Sequence, residues 1–373
     1  MERRISGARM VVFLAAVAVA WSGCDTGWWS AWWAGVPLAA FVGLVVTHDR
    51  VIRSRQRAER TAGFYEAGMA RLEDRWSGAG NGGERHLNAH HPYAADLDLF
   101  GRGSLFELLC TARTRGGEDT LARWLLAPAS AGEIRARQAA VAELRPRLDL
   151  REEVALLGDD VRAGLDPQTL EAWGAAPPIF ARRQLRTVAL ALVVLTAAAA
   201  VAWIACGAGP LPFAALIVAE AVLAAWLRPR VAQVIRAAQH PDRDLALLAE
   251  MLSRLESEAF ATPWLVQRRA ALDTDGDPPS RCIARLHRLI HLLDARKNQL
   301  FAPLSGLLLW STQLALAIDA WRIKNGASIG RWVTVIGEVE ALSALASHAY
   351  EHPADPFPDV IQGTCQFEAV GLG

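Results

Sequence analysis

The sequence predicts an all-α membrane protein, in which two transmembrane helical hairpins carry a cytoplasmic helical body and a short β fragment lies at the C-terminus. Three observations lead to this prediction. Hydrophobic residues make up 52% of the 373 residues, and many of them fall in four apolar segments. Arginines flank both pairs of segments. Elsewhere the apolar residues recur at helical spacing, and only residues 360–370 alternate as a strand does.

The four apolar segments form two pairs, and a short turn joins the members of each pair. They comprise residues 10–21, 28–46, 187–206 and 211–227. The third has no charge over about 20 residues, enough at about 1.5 Å per residue to cross a hydrocarbon core near 30 Å. A cleaved signal peptide is the alternative for the first segment, which is short and follows a basic start. A second apolar segment follows at once, so a membrane span is favoured.

Arginines predict which side of the membrane the long segments occupy. They lie before the first and third segments and after the second and fourth, whereas both turns lack Lys and Arg. These flanking residues are Arg3, Arg4, Arg9, Arg50, Arg53, Arg55, Arg57, Arg60, Arg182, Arg183, Arg186, Arg228 and Arg230. By the positive-inside rule the N-terminus, the body and the C-terminus are cytoplasmic, and the lipid bilayer is a partner of the chain.

One carboxylate, Glu220, interrupts the fourth segment. An intramembrane carboxylate can serve as a proton or ion site, as in a transporter. The third segment offers no acid, His or Arg at matching depth. We therefore favour a structural glutamate that is protonated or paired between helices.

A fifth apolar stretch, residues 300–321, is ambiguous. It contains Pro303, Gln313 and Asp319, and Asp319 lies one helical turn from Arg322. A single crossing here would also move the C-terminus to the other side of the membrane. We therefore interpret the stretch as a long buried helix of the body that lies near the bilayer.

The remaining segments predict a helical body with one flexible linker. Residues 77–83 (SGAGNGG) form the linker, and Ser130 with Glu133 has the S-x-x-E pattern of a helix N-terminus. Helices are predicted over residues 50–76, 98–126, 130–144, 149–157, 242–260, 279–299, 300–324 and 329–350.

The sequence carries few signs of catalysis or metal binding. Neither a G-x-x-x-x-G-K-[ST] loop nor an H-E-x-x-H motif occurs. The five cysteines are scattered and form no C-x-x-C pair. They are Cys24, Cys110, Cys206, Cys282 and Cys365. No catalytic, cofactor-binding or metal-binding residue is therefore assigned.

Two groups of histidines have a spacing that can suit a metal. His287 and His291 lie at i and i+4 with Asp294 near, but Arg285 and Arg288 on the same helix would repel a cation. A solvated helix face is therefore favoured for this group. The other group lies in a predicted loop and comprises His86, His90, His91, Asp96 and Asp98. It too is not taken as a metal site.

One stretch of the body has a more specific pattern, and it resembles the core domain of the MutS family of DNA mismatch repair ATPases. This stretch is residues 96–144. The matching residues are Leu97, Leu99, Phe100, Gly103, Ser104, Leu105, Phe106, Leu108, Leu109, Thr111, Thr114, Gly117, Leu121, the run 123–128, the run 134–138, Val141 and Leu144. The pattern predicts a helix, a tight glycine turn, a second helix ended by Pro128 and a capped third helix. Such a unit would dock long lever helices.

Two further stretches extend the resemblance. Residues 337–350 (GEVEALSALASHAY) are similar to the returning lever helix of the family, and residues 366–373 (QFEAVGLG) to the opening strand of its ATPase domain. The order of hairpin, core, second hairpin and lever resembles a bacterial membrane-bound branch. The resemblance implies a protein of the bacterial inner membrane that couples ATP binding to lever movement and dimer closure. ATP, magnesium, DNA and a second copy of the chain would be ligands of the intact form.

The chain departs from the family at its two functional domains. It has no counterpart of the ATPase domain or of the mismatch-reading domain, so no enzymatic activity is assigned to it, and we expect a fragment or a natural truncation. Phe64, Tyr65 and Glu66 resemble the family's Phe-x-Glu wedge but follow a juxtamembrane helix, so coincidence is favoured. A basic stripe could contact a DNA backbone, although a solvated or membrane-facing stripe is favoured. It comprises Arg281, Arg285, Arg288, Arg296 and Lys297.

These observations divide the chain into six parts. They are a first transmembrane hairpin (1–50), a juxtamembrane helix and linker (51–95), a MutS-like core (96–180), a second transmembrane hairpin (181–230), a lever-like region (231–352) and the start of a truncated ATPase domain (353–373). The predicted function is that of a core and lever, coupling ATP binding elsewhere to DNA or partner binding. The alternative is a non-enzymatic membrane scaffold derived from the same core.

Overall fold

The computed structural model describes residues 35–162, 167–180, 184–274, 276–294, 308–361 and 368–369. Within these ranges the chain is helical and contains no β-strand, which confirms the all-α prediction for the part described. The helices are α1 (Gly35–Leu72), α2 (Leu105–Leu109), α3 (Arg115–Leu126), α4 (Ala131–Leu144), α5 (Leu148–Arg162), α6 (Pro167–Ala175), α7 (Gln184–Cys206), α8 (Leu211–Ser257), α9 (Pro263–Leu272), α10 (Pro279–Asp294) and α11 (Trp310–Glu351). The chain divides into two compact units, residues 1–70 and 71–373.

In the first unit the described residues belong to one helix. α1 begins at Gly35 and runs without a break, so the end of the predicted second span and the helix predicted after it are continuous. The first predicted span, residues 10–21, lies outside the described residues. Phe64, Tyr65 and Glu66 lie in the middle of α1, where the Phe64 and Tyr65 rings meet edge to face with centroids 5.3 Å apart. These three residues are therefore part of a regular helix.

Among the described residues of the second unit, two helices are long and apolar enough to cross a membrane. They are α7 and the first 28 residues of α8, Leu211–Ala238. Large apolar side chains stay exposed on both helices; Ile204 is 81% exposed and Leu211 is 80% exposed. A helix in the core of a soluble protein buries most such side chains, so this surface suits contact with lipid.

α8 is longer than the sequence suggested. It runs for 47 residues, where the sequence predicted one apolar span and a separate helix beyond it. Pro229 and Pro241 lie inside α8, and each removes one backbone N–H donor from the helix. Leu227 and Val231, on either side of Pro229, are buried. Packing on the body thus stabilises the helix across this proline.

α11 also joins two predicted helices into one. Residues 325–328 (NGAS) have low helix propensity and separate the predicted helices, yet they lie inside α11. Their burial explains this, because Asn325 and Ser328 are buried and Gly326 lies against α6. A Cβ atom on Gly326 would lie 2.2 Å from the carbonyl oxygen of Gly174. Close contact between the backbones of α6 and α11 therefore outweighs local propensity.

The helix predicted over residues 98–126 is wrong in its extent. The structure has a five-residue helix α2 and then α3, with residues 110–114 between them. Two side chains cap these helices: the Ser104 hydroxyl accepts a hydrogen bond from the N–H of Glu107, and that of Thr114 accepts one from Gly117. Gly116 and Gly117, predicted as a tight turn, lie in the first turn of α3.

Two other local predictions have different outcomes. The capping pattern at α4 is confirmed, because the Ser130 hydroxyl accepts from the N–H of Glu133 at 3.3 Å. The β fragment predicted over residues 360–370 is not confirmed. Residues 360–361 and 368–369 are described and form no strand, and the rest of that fragment lies outside the described residues.

α11 is the central helix of the second unit, and most of its side chains are buried. It contacts α3, α4, α6, α8 and α10. The Trp332 side chain is fully buried, and its indole N–H donates to the carbonyl of Leu272 at 3.2 Å. Asp319 and Arg322 form a buried ion pair at 2.8 Å. The described part of the fifth apolar stretch, residues 308–321, is thus a largely buried helix, as predicted.

Candidate functional site: a buried glutamate between α3 and α11

A buried carboxylate joins α11 to the loop between α2 and α3. Glu340, on α11, is 2% exposed and lies against the loop between α2 and α3. Its Oε1 accepts hydrogen bonds from the N–H groups of Arg113 at 3.0 Å and Thr114 at 3.1 Å. Its Oε2 is hydrogen-bonded to the Thr114 hydroxyl. We call this set of contacts the Glu340 junction.

The Glu340 junction lies at the N-terminus of α3. Thr114 is the N-cap of that helix, and its hydroxyl oxygen accepts from the N–H of Gly117 at 3.1 Å while it bonds to Glu340. The first turn of a helix has unpaired N–H groups and a partial positive charge, which favour a nearby acid. One side chain from α11 therefore completes the cap of α3 and binds the two helices together.

Two glycines make this close approach possible. A Cβ atom on Gly337 of α11 would lie 2.6 Å from the carbonyl oxygen of Gly116, and one on Gly117 would lie 2.6 Å from a carboxylate oxygen of Glu340. Any larger residue would hold α3 and α11 apart. Gly116 and Gly117, which the sequence predicts as a turn, instead form the surface of α3 that contacts α11.

Burial is the main influence on the acid strength of Glu340. It raises the pKa of Glu340 above the ordinary value, and the hydrogen bonds from Thr114 and Arg113 only partly oppose it. A neutral Glu340 keeps the same geometry, since the Thr114 hydroxyl oxygen can accept the carboxyl proton.

A second buried glutamate, Glu107 on α2, behaves in the opposite way. Burial acts to raise its pKa, but N–H groups of Gly103, Gly80 and Gly78 outweigh burial and hold the pKa below the ordinary value. Its two oxygens accept from Gly80 at 2.9 Å and from Gly103 at 2.7 Å. Glu107 thus fixes the glycine-rich segment, predicted as a flexible linker, onto α2.

The predicted intramembrane candidate, Glu220, lies at the contact of α7 and α8. It is 3% exposed, and the Thr196 hydroxyl lies 2.6 Å from its Oε1. The pairing between helices, one of the two forms expected for a structural glutamate here, is present in the structure. The sequence does not single out Thr196 as the partner, although a threonine hydroxyl can bond a carboxylate across two apolar helices.

The two histidine groups do not form metal sites within the described residues, where no three His, Cys, Asp or Glu side chains are grouped for a metal. His287 and His291 approach each other to 2.7 Å between their Nε2 atoms, and Arg285 of the same helix pairs with Asp277 at 2.9 Å. His86 packs instead on the rings of Phe100 and Phe106.

The basic stripe proposed for DNA is only partly described. Arg281, Arg285 and Arg288 lie exposed on α10, whereas Arg296 and Lys297 lie outside the described residues. Two of the five, Arg285 and Arg288, line a cavity together with α11.

Comparison of the chain with protein-family models, with curated proteins and with solved structures gives no match.

Sequence reasoning missed Glu340, although a signal is present. Val333, Ile336 and Gly337 precede it at helical spacing on an apolar face, and all are buried. A carboxylate in register with such a face is buried too, so it needs hydrogen-bond donors from another segment. The pattern indicates a paired glutamate, but only the fold identifies Arg113 and Thr114 as the donors.

Proposed function

We propose that this chain is the core and lever part of a membrane-anchored MutS-like protein of the bacterial inner membrane. The Glu340 junction is the observation that supports the proposal best. The resemblance rests on residues 96–144 and 337–350, which are separated by almost two hundred residues, and these two segments pack on each other through Thr114, Gly117 and Glu340. A lever docked on a core is what the family resemblance implies.

In this proposal the second hairpin anchors the lever in the bilayer, with the body in the cytoplasm. α8 runs from the apolar segment into the body as one helix, and its body half packs on α10 and α11. A movement of α11 would therefore be passed to α8 and to the core through α3. ATP and magnesium would act in a C-terminal ATPase domain, which would also form the homodimer, and DNA or a partner protein would respond.

The coding sequence that follows the Gly373 codon tests the ATPase part of the proposal. An in-frame G-x-x-x-x-G-K-[ST] motif within about 60 codons would support coupling to ATP, because that loop cradles the nucleotide phosphates. A stop codon directly after Gly373 would favour the alternative, a membrane scaffold that keeps the core and lever for protein contacts.

Salt-dependent retention on duplex DNA tests the nucleic-acid part. The intact gene product in detergent should bind at low salt and dissociate as salt rises, because phosphate contacts release counterions. A matched pair of variants, Arg281→Gln and Arg331→Gln, compares the α10 stripe with an exposed arginine of α11. No retention at the lowest salt would remove DNA from the proposal and leave partner binding.

A further inference from the structure

A cavity of about 510 Å³ lies where α7 begins, next to the proposed membrane span. Arg186, in the first turn of α7, lines it together with residues of α10 and α11. Much of its wall is apolar. The apolar residues are Leu289, Leu292, Ala317, Ala320 and Trp321. The indole N–H of Trp321 donates to the carbonyl of Cys282 at 2.7 Å, which fixes this wall.

Four cationic side chains line the cavity. Arg186, Arg285, Arg288 and Lys324 all line it. Asp277 is bound to two of them, at 2.9 Å from Arg285 and 3.8 Å from Lys324. In the described part of the chain Arg186 and Arg288 have no carboxylate partner, and the Nε of Arg288 donates only to a carbonyl of its own helix, at 3.4 Å. The cavity is therefore net positive.

Asn325 contributes a polar side chain to the cavity wall. Asn325 lines it, is 3% exposed and donates from Nδ2 to the carbonyl of Trp321 at 3.0 Å. Its Oδ1 has no hydrogen-bond donor among the described residues. Because this oxygen is itself buried, Asn325 fixes the wall through its bond to Trp321 and is assigned no ligand contact.

We propose that this cavity binds the headgroup of an anionic phospholipid. The phosphate would lie between the guanidinium groups of Arg186 and Arg288, which suit phosphate oxygens in geometry and charge. The apolar wall, which includes the exposed side chain of Leu292, would contact the first part of the acyl chains.

The position in the fold favours a lipid over a dissolved anion. Arg186 lies at the end of α7 that faces the body, where a spanning helix meets the headgroup layer, and anionic headgroups attract basic residues there. A free phosphate would leave the apolar wall in contact with water. The inference rests on the proposed function only in requiring that α7 spans the bilayer.

Native mass spectrometry of the full chain in detergent tests the site. We expect the chain to retain dioleoylphosphatidylglycerol in preference to dioleoylphosphatidylcholine. The double variant Arg186→Gln with Arg288→Gln should retain about tenfold less of the anionic lipid. Arg228→Gln with Arg236→Gln is the matched control, because Arg228 also flanks an apolar segment and Arg236 also donates to a carbonyl of its own helix, at 3.2 Å. This control should retain the lipid like the wild type.

Three results would overturn the proposal. They are equal retention by the two double variants, equal retention of the two lipids, and displacement of the anionic lipid by millimolar inorganic phosphate, which would identify a site for free anions. Alkaline extraction of membranes separates this proposal from membrane anchoring. If the wild type is extracted, the anchoring proposal fails; if it stays in the membrane without lipid selectivity, only the lipid site fails.

Discussion

Glu340 shows how one side chain can decide whether two helices dock. We expect Glu340→Leu to lower the free energy of unfolding by about 3 kcal/mol, because three donors lose their acceptor inside the core. Glu340→Gln should cost less than about 1 kcal/mol, since the amide can accept from Arg113 and Thr114 and donate to the Thr114 oxygen. Thermal unfolding in detergent measures both variants. Glu250→Leu, at an exposed position of α8, is the control and should be near neutral.

The raised pKa of Glu340 predicts the direction in which its contribution to the free energy of unfolding changes with pH. The raised pKa of Glu340 means that the folded chain keeps a proton that the unfolded chain loses above its ordinary value of 4.5. The contribution of Glu340 is therefore complete below 4.5 and is lost as the pH rises towards the raised value. Glu107 acts in the opposite direction, because its lowered pKa makes its contribution disappear as the pH falls.

Unfolding midpoints of the wild type and of Glu340→Gln, followed from about pH 4 to pH 8, test this sign. The advantage of the wild type over the variant should shrink as the pH rises. Glu107 is present in both proteins, so its effect cancels in the difference. A difference that stays constant or grows with pH would contradict the raised pKa.

At the scale of the helices, glycine contacts determine how closely α11 packs on its neighbours. Gly326 and Gly337 are eleven residues apart, about three turns at 3.6 residues per turn, so they share one face of α11. Each touches a backbone carbonyl of another helix, at Gly174 and Gly116 respectively. α11 thus has two fixed points of contact, one on α6 and one on α3.

Alanine substitutions test these contact points. Gly326→Ala and Gly337→Ala should each lower the free energy of unfolding by about 1–3 kcal/mol, because the added methyl group collides with a backbone oxygen. Gly132→Ala in α4 should instead raise it by up to about 1 kcal/mol, since nothing lies within 4 Å of the added atom and alanine favours a helix. Loss of stability in all three variants would contradict the packing argument.

The sequence predicts the elements of this fold better than their ends. Periodicity correctly predicts that the second unit is helical, and the apolar run correctly predicts α7 and the start of α8. The breaks predicted in α8 and α11 are wrong because proline and glycine penalties are local, whereas the contacts that offset them come from distant segments. For the same reason, the buried register of Glu340 is visible in the sequence, but Thr114 as its partner is not.

At the scale of the whole molecule, the native cysteines offer a test of topology. Cys206 is exposed at the end of α7, whereas Cys110 is partly buried and Cys282 is 2% exposed. Burial also raises the pKa of Cys110 to about 12, which makes that thiol unreactive. Under the proposed topology the turn after Cys206 lies outside the cytoplasm.

A membrane-impermeant maleimide should therefore label Cys206 in intact cells, and peptide mass spectrometry would locate the label. Cys24 lies in the other turn that this topology places outside, so the labelling is done in a Cys24→Ser background, in which Cys206→Ser should remove the label. A Ser77→Cys variant places a thiol at an exposed position of the body and should be labelled only after permeabilisation. Labelling of Ser77→Cys in intact cells would reverse the proposed orientation.

The unbroken length of α8 has a mechanical consequence. Its 47 residues extend about 70 Å at about 1.5 Å per residue. Thinning of a bilayer makes a spanning helix tilt, and a tilt of about 5° would swing the far end of a straight rod of this length by about 6 Å. A change in bilayer thickness would then move the part of α8 that packs in the body. Pro229 and Pro241 each lack a backbone N–H donor, so the helix would bend most easily there. The stiffness at these two prolines would determine how much of the displacement reaches the body.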